Sequence, residues 1–210
     1  MIYDMKDYWA NPKIGEKQVV QDVDRDGNLT KRAEYLWSGA VDGKPVIRLD
    51  EYNEGRGWTD AWEYRFDDRG VLEVADWETG GTHKVFKQGL ELNWGNKLEV
   101  GQTVSNKVEI DFWKSRKVFP FFGVKGYMNI KLENAYKNFT NPSGLVFDDV
   151  IQIYSYQTLY RVMGFKTFGK TVWEVRRFHA KGIGVVVIDY MENGAVSGRH
   201  HAKSVETVKL

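Results

Sequence analysis

Almost every stretch of the chain alternates apolar and polar residues with period two, the signature of half-buried strands. Val, Ile, Tyr, Phe, Trp and Thr fill these runs, and Gly or Asn/Asp clusters break them every ~8–12 residues. The pattern predicts strands at 16–23, 29–38, 45–53, 58–66, 71–77, 83–92, 103–113, 124–133, 146–157, 170–179, 184–191 and 196–208. Asp26-Gly27, Asp42-Gly43, Asp68-Arg69-Gly70 and Asn193-Gly194 supply the residues that tolerate the positive φ of tight hairpins. Helical spacing is confined to a turn or two within 132–139 and around 30–36. Parallel strands would need crossover helices of roughly ten residues or more, and none fit. The predicted fold class is all-β, with antiparallel meanders forming a barrel or two curved sheets.

One strand stands out. Strict alternation through 58–66 puts Trp58, Asp60, Trp62, Tyr64 and Phe66 on one face, against Thr59, Ala61, Glu63 and Arg65 on the other. So large an aromatic face must meet a core, a second sheet or a ligand.

Three blocks recur in the same order. The run 70–80 (GVLEVADWETG) matches 184–194 (GVVVIDYMENG) without gaps, Trp62-Glu63-Tyr64-Arg65-Phe66 is similar to 173–178, and 9–15 is similar to 94–101. An internal duplication would give a first β-repeat in 1–92 and a second in 93–210, with an insertion near 113–141, the two joined in one domain or standing apart. Stereotyped hairpin chemistry would give similar matches without common descent.

Composition narrows the function classes. The 210 residues carry 30 Lys plus Arg against 29 Asp plus Glu, so no general field draws nucleic acid or an anionic membrane. With no Cys, thiolate nucleophiles, disulfides and Cys-based metal sites are excluded, and no cofactor is expected. The balance fails in one place. Residues 113–125 hold four cations, no acid and an apolar tip of Phe119, Phe121 and Phe122, suited to a lid or to contact with a membrane surface or a protein.

Candidate chemistry is sparse. Asp22, Asp24 and Asp26 before Gly27 have the opening spacing of a calcium loop, but Ala33 stands where the bidentate Glu belongs, and a hairpin turn explains the acids more simply. No two of His83, His179, His200 and His201 have metal-ligand spacing, and His200 and His201 would point to opposite faces of a strand. Asp60, between Trp58 and Trp62, is a candidate acid–base group, as is His179, which shares a face with Trp173, Val175 and Arg177. The pairs Glu63/Arg65 and Glu174/Arg176 look like i,i+2 surface ion pairs. No nucleophile elbow, phosphate loop or nucleotide fingerprint is present.

Gly89-Leu90-Glu91-Leu92 with 98–103 (LEVGQT), the run 141–151 (NPSGLVFDDVI), and 178–186 (FHAKGIGVV) together resemble the strand motifs of bacterial envelope lipoprotein-like β-domains. That resemblance implies a curved antiparallel sheet or half-barrel and a cell-envelope ancestry, and it carries over no catalytic residue. The sequence departs from such relatives in having no lipobox Cys. No basic, apolar leader opens the chain, so a periplasmic or envelope location applies to a mature chain, with a cytoplasmic one as the alternative.

The leading expectation is a non-enzymatic domain that binds an apolar or carbohydrate-like ligand in a Trp-rich concave sheet through Trp58, Trp62, Tyr64, Trp173 and Arg177. The rivals are a small-molecule cyclase, isomerase or lyase using Asp60 and His179 in the same cavity, and a structural module of an envelope assembly.

Overall fold

The computed structural model describes residues 1–41, 44–114, 122–163 and 166–210. The first half comprises β1 (Ile2–Asp4), a 3-10 turn (Met5–Tyr8), β2 (Glu16–Asp24), β3 (Leu29–Val41), β4 (Lys44–Asn53), β5 (Gly57–Asp67), β6 (Gly70–Glu78) and β7 (Thr82–Phe86). There follow two short strands, β8 (Leu92–Asn93) and β9 (Lys97–Glu99), then β10 (Thr103–Lys114), β11 (Phe122–Thr140), β12 (Val146–Met163), β13 (Lys166–Ala180), β14 (Gly184–Glu192) and β15 (Ala195–Lys209).

Twelve of these strands, β2–β7 and β10–β15, pair antiparallel in chain order, and β15 returns to β2 to close a barrel. Of the two expected architectures, the barrel is the one formed. Closure pairs every long strand on both sides, which removes exposed edges. β2–β7 and β10–β15 are complementary six-stranded halves of the ring, and β5 and β13 lie six places apart in it, as do β6 and β14. The twelve expected strands are the twelve barrel strands. Residues 30–36 and 132–139, where helical turns were expected, are instead extended within β3 and β11. Their side chains are claimed by neighbouring strands, and cross-strand pairing overrides weak helical propensity.

Three of the register shifts in the ring re-aim side chains of β3, β5 and β6. Opposite β4, Thr59 is an extra residue in β5, so Tyr52 pairs with Trp58 while Glu51 pairs with Asp60. In β6, Val74 is extra, so Glu63 pairs with Ala75 and Tyr64 with Glu73. In β3, Thr30 is extra opposite Asp22 and Val23. Each bulge breaks the strict alternation on which face assignments depend.

One end of the barrel is sealed. The segment after β1 inserts Met5, Tyr8, Trp9 and Ala10, all buried, and Trp94 meets Trp9 at 5.6 Å between ring centroids. The backbone fixes this floor: Met5 N donates to the Asn96 carbonyl, Val71 N to that of Gly95 and Trp94 N to that of Val71. Gly70 has φ +119°, and a Cβ there would sit 1.9 Å from the Gly95 oxygen, so only glycine permits this approach. A core of Leu132, Ile130, Ile151, Ile153, Met128 and Val71 packs around it. The outer wall carries ion pairs between neighbouring strands, such as Lys17–Glu34 at 2.9 Å, Arg48–Glu63 at 3.7 Å and Lys137–Asp149 at 2.8 Å.

Candidate ligand-binding lumen

Above the floor the barrel encloses a cavity of about 810 Å³, inside the ~300–1,000 Å³ range of small-molecule sites. It runs from buried Trp9, Trp94 and His179 up to a rim where Trp173 is 53% exposed and Thr171 and Arg161 reach solvent. The wall of β10–β12 is mainly apolar, with Val108, Ile110, Phe112, Val124, Met128 and Leu159. The wall of β2–β7 holds all the lining carboxylates: Asp22, Glu51, Asp60, Glu73, Asp76 and Glu78.

Two ionic groups stand on that acidic wall. Lys31 Nζ lies 2.9 Å from Glu51, beside Asp22. Burial lifts the Asp22 carboxyl to about 6, with Lys31 opposing the shift. Burial works against the Lys31 ammonium, but Glu51, Tyr190 and Asp22 outweigh it and raise its pKa above the usual lysine range. In the second group, Lys84 Nζ bonds Asp76 Oδ2 at 2.8 Å and also Glu78. Burial lifts Asp76 to about 6 against the pull of Lys84. Deeper, Trp94 Nε1 donates to Glu73 Oε2 at 3.3 Å, and burial reinforced by Asp76 lifts Glu73 to about 7.

The residues expected at a site divide into three sets. Trp62, Tyr64, Trp173 and Arg177 all line the lumen, and Arg177 donates to Ser155 Oγ at 3.0 Å while its guanidinium lies 5.2 Å from the Trp94 ring centroid. Trp58 faces the other way: the bulge at Thr59 turns it to the outer wall, where Nε1 donates to Asp50 at 2.8 Å. Its expected place beside Asp60 and Trp62 on one face is thus corrected. Phe119 and Phe121 lie outside the described residues, while Phe122 opens β11 at the rim end.

Asp60 and His179 line opposite ends of the cavity. Asp60 is three residues into β5 at the rim, half-buried, and burial raises its pKa. His179 is 1% exposed on the floor, its ring 4.3 Å from that of Trp9, with Nδ1 3.3 Å from the Tyr8 carbonyl. Burial and then Arg177 depress its pKa to about 3, so it stays neutral at ordinary pH.

Other expectations are resolved by geometry. Asp24 accepts from the backbone N–H of Asp26 and Asn28, both at 2.9 Å, which closes the β2–β3 hairpin, while Asp22 turns into the lumen. Among the described residues no group of three His, Cys, Asp or Glu could hold a metal. His200 faces the lumen and contacts Thr30 Oγ1 at 3.0 Å; its neighbour His201 is buried on the opposite face. The residues of the two expected pairs take other partners: Arg65 bonds Glu91 at 2.8 Å and Glu63 meets Arg48 at 3.7 Å, while Arg176 bonds Glu133 at 2.6 Å and Glu174 accepts from Tyr154 at 2.7 Å.

Two solved structures are similar to the chain over most of its length. One is a putative exported protein with a YmcC-like fold from Bacteroides fragilis, 11% identical, covering 95% of this chain and 99% of its own with a TM-score of 0.45. The other is a putative lipoprotein from Parabacteroides distasonis, 10% identical, covering 97% and 100% with a TM-score of 0.42. Likeness this loose transfers no function. No protein-family model and no curated protein matches the chain.

Sequence reasoning missed Glu73, Asp76, Lys31 and Lys84. A signal was present in Val71-Leu72-Glu73-Val74-Ala75, where an acid sits inside an aliphatic run that is buried throughout.

Proposed function

We propose that the barrel is a binding protein that holds a small carbohydrate-like ligand in its lumen, in the cell envelope. The observation that carries this reading is a cavity closed at one end by Trp9 and Trp94 and open at a rim bearing Trp173, with Trp62 and Tyr64 between. Aromatic faces accept the apolar faces of sugar rings, and the carboxylates, Lys84 and Arg177 offer hydrogen bonds to hydroxyls. Six lining carboxylates speak against a purely apolar ligand, because a hydrocarbon chain would strip water from them without replacing its hydrogen bonds. Envelope placement rests on the hairpin motifs that resemble lipoprotein-like domains. The test is titration of the protein with cellobiose and, separately, dodecanoate, followed by tryptophan fluorescence and calorimetry. Saturable cellobiose binding, weakened about tenfold by Trp62→Ala or Trp173→Ala, is expected from loss of ring contact. Binding of dodecanoate and not of the sugar overturns the carbohydrate reading.

A further inference from the structure

The lumen is electrically lopsided. All six lining carboxylates belong to β2–β6, where Lys31 and β7's Lys84 are the facing ammonium groups, and the opposite half contributes Arg161 at the rim and Arg177 above the floor. Lys31 is engaged by Glu51, and Lys84 by Asp76 and Glu78. Glu73 is left with the indole N–H of Trp94 as its hydrogen bond, although it is buried to 8% exposure. Glu73 and Asp76 are three residues apart on one strand, a spacing that normally points two side chains to opposite faces. The extra residue Val74 brings both to the inside. Bulges are features that re-aim side chains next to functional sites, and here one gathers two like charges against electrostatic cost.

Two further observations mark unfilled hydrogen-bonding capacity in the same cavity. Asp76 Oδ1 is buried without a partner, and so is Nε2 of His179 on the floor, on a side chain 99% removed from solvent. Buried polar atoms are ordinarily satisfied by protein or ordered water, so atoms left open on a cavity wall are available to a ligand. Trp62 is the register partner of Asp76, and Trp94 bonds Glu73, so the carboxylates are flanked by the rings on which a sugar would stack.

We infer that Glu73 and Asp76 form a seat for an ammonium group, and that the ligand is an amino sugar rather than a neutral one. This deepens the carbohydrate reading and rests on it. A protonated amine donates three hydrogen bonds and meets carboxylates with charge-assisted bonds, whereas a hydroxyl or an N-acetyl group at the same carbon brings no charge. Trp62 and Trp94 add the attraction of aromatic faces for a cation. Arg177, engaged by Ser155 and the Trp94 face, stands across from the seat and limits how many positive groups the floor accepts.

The test uses three β-1,4-linked disaccharides that differ at C2: chitobiose with free amines, N,N′-diacetylchitobiose and cellobiose. Calorimetric titration near neutral pH is expected to show chitobiose binding about tenfold or more tighter than either neutral sugar. Glu73→Gln and Asp76→Asn are each expected to erase that preference by weakening chitobiose far more than cellobiose, and an unchanged circular dichroism spectrum of the barrel shows that the variants are folded. Equal binding of all three sugars, or a preference that survives both substitutions, overturns the ammonium seat and leaves the carbohydrate reading standing. Binding of none of the three overturns both.

Discussion

Glu73 offers the sharpest test of the lumen's electrostatics. The carboxyl is held near 7 in the folded protein against an ordinary 4.5, chiefly by burial and then by Asp76. The native state therefore keeps a proton that the unfolded chain releases. Its contribution to stability is fully present below 4.5 and is lost as pH rises through about 7. At about 1.4 kcal/mol per pH unit, the interval amounts to about 3 kcal/mol. Glu73→Gln keeps the shape and the acceptor for Trp94 Nε1, and it cannot ionise. In urea unfolding followed by tryptophan fluorescence, variant and parent should be nearly equal at about pH 4, and the variant should be more stable by about 3 kcal/mol at about pH 8. Asp22 titrates in both proteins and drops out of the difference, which reports Glu73 together with its coupling to Asp76. A stability difference that does not change with pH would refute a carboxyl buried against its charge.

Two further substitutions probe the frame around the cavity. Gly70→Ala forces a Cβ onto the Gly95 backbone at a positive φ, so the floor must shift, and a loss of about 3 kcal/mol or more is expected in the same urea assay, with refutation if the midpoint is unmoved. Lys31→Met leaves Glu51 and Asp22 without their cation inside the lumen and should cost about 3–5 kcal/mol above neutral pH, less in acid where Asp22 is protonated; thermal unfolding across pH checks both.

The fold was legible because barrel strands announce themselves. Alternation and Gly/Asn turns located all twelve, and the only helical misreading, at 132–139 and 30–36, fell where Lys, Glu, Ala and Leu dilute the β-branched signal. β1, β8 and β9 have two or three residues each, too few for periodicity to show. The site was only half legible. Trp62, Tyr64, Trp173 and Arg177 sit on unbroken alternation and face the lumen as read, whereas Trp58 and the pair Glu73/Asp76 lie across bulges, where one extra residue inverts the face. Bulges leave no composition mark in a single sequence. The matched blocks 62–66 and 173–178 fall on strands six places apart in the ring of twelve. The two halves of the ring differ in charge, because 1–92 supplies every lining acid.

Closure has a kinetic side. Eleven of the twelve pairings join strands that follow one another along the chain, and each can zip from its own turn or connecting segment. The twelfth, β2 with β15, brings Glu16 against Lys209, and the contact between Gly15 and Leu210 lies just beyond it. That seam must wait for nearly the whole polypeptide to be ordered, and the loop it closes is the longest in the molecule. Until it shuts there is a twisted ribbon with two open margins, and the acidic wall and the apolar wall face each other only after the last pair locks. The chamber is thus complete only once the β2–β15 seam has formed.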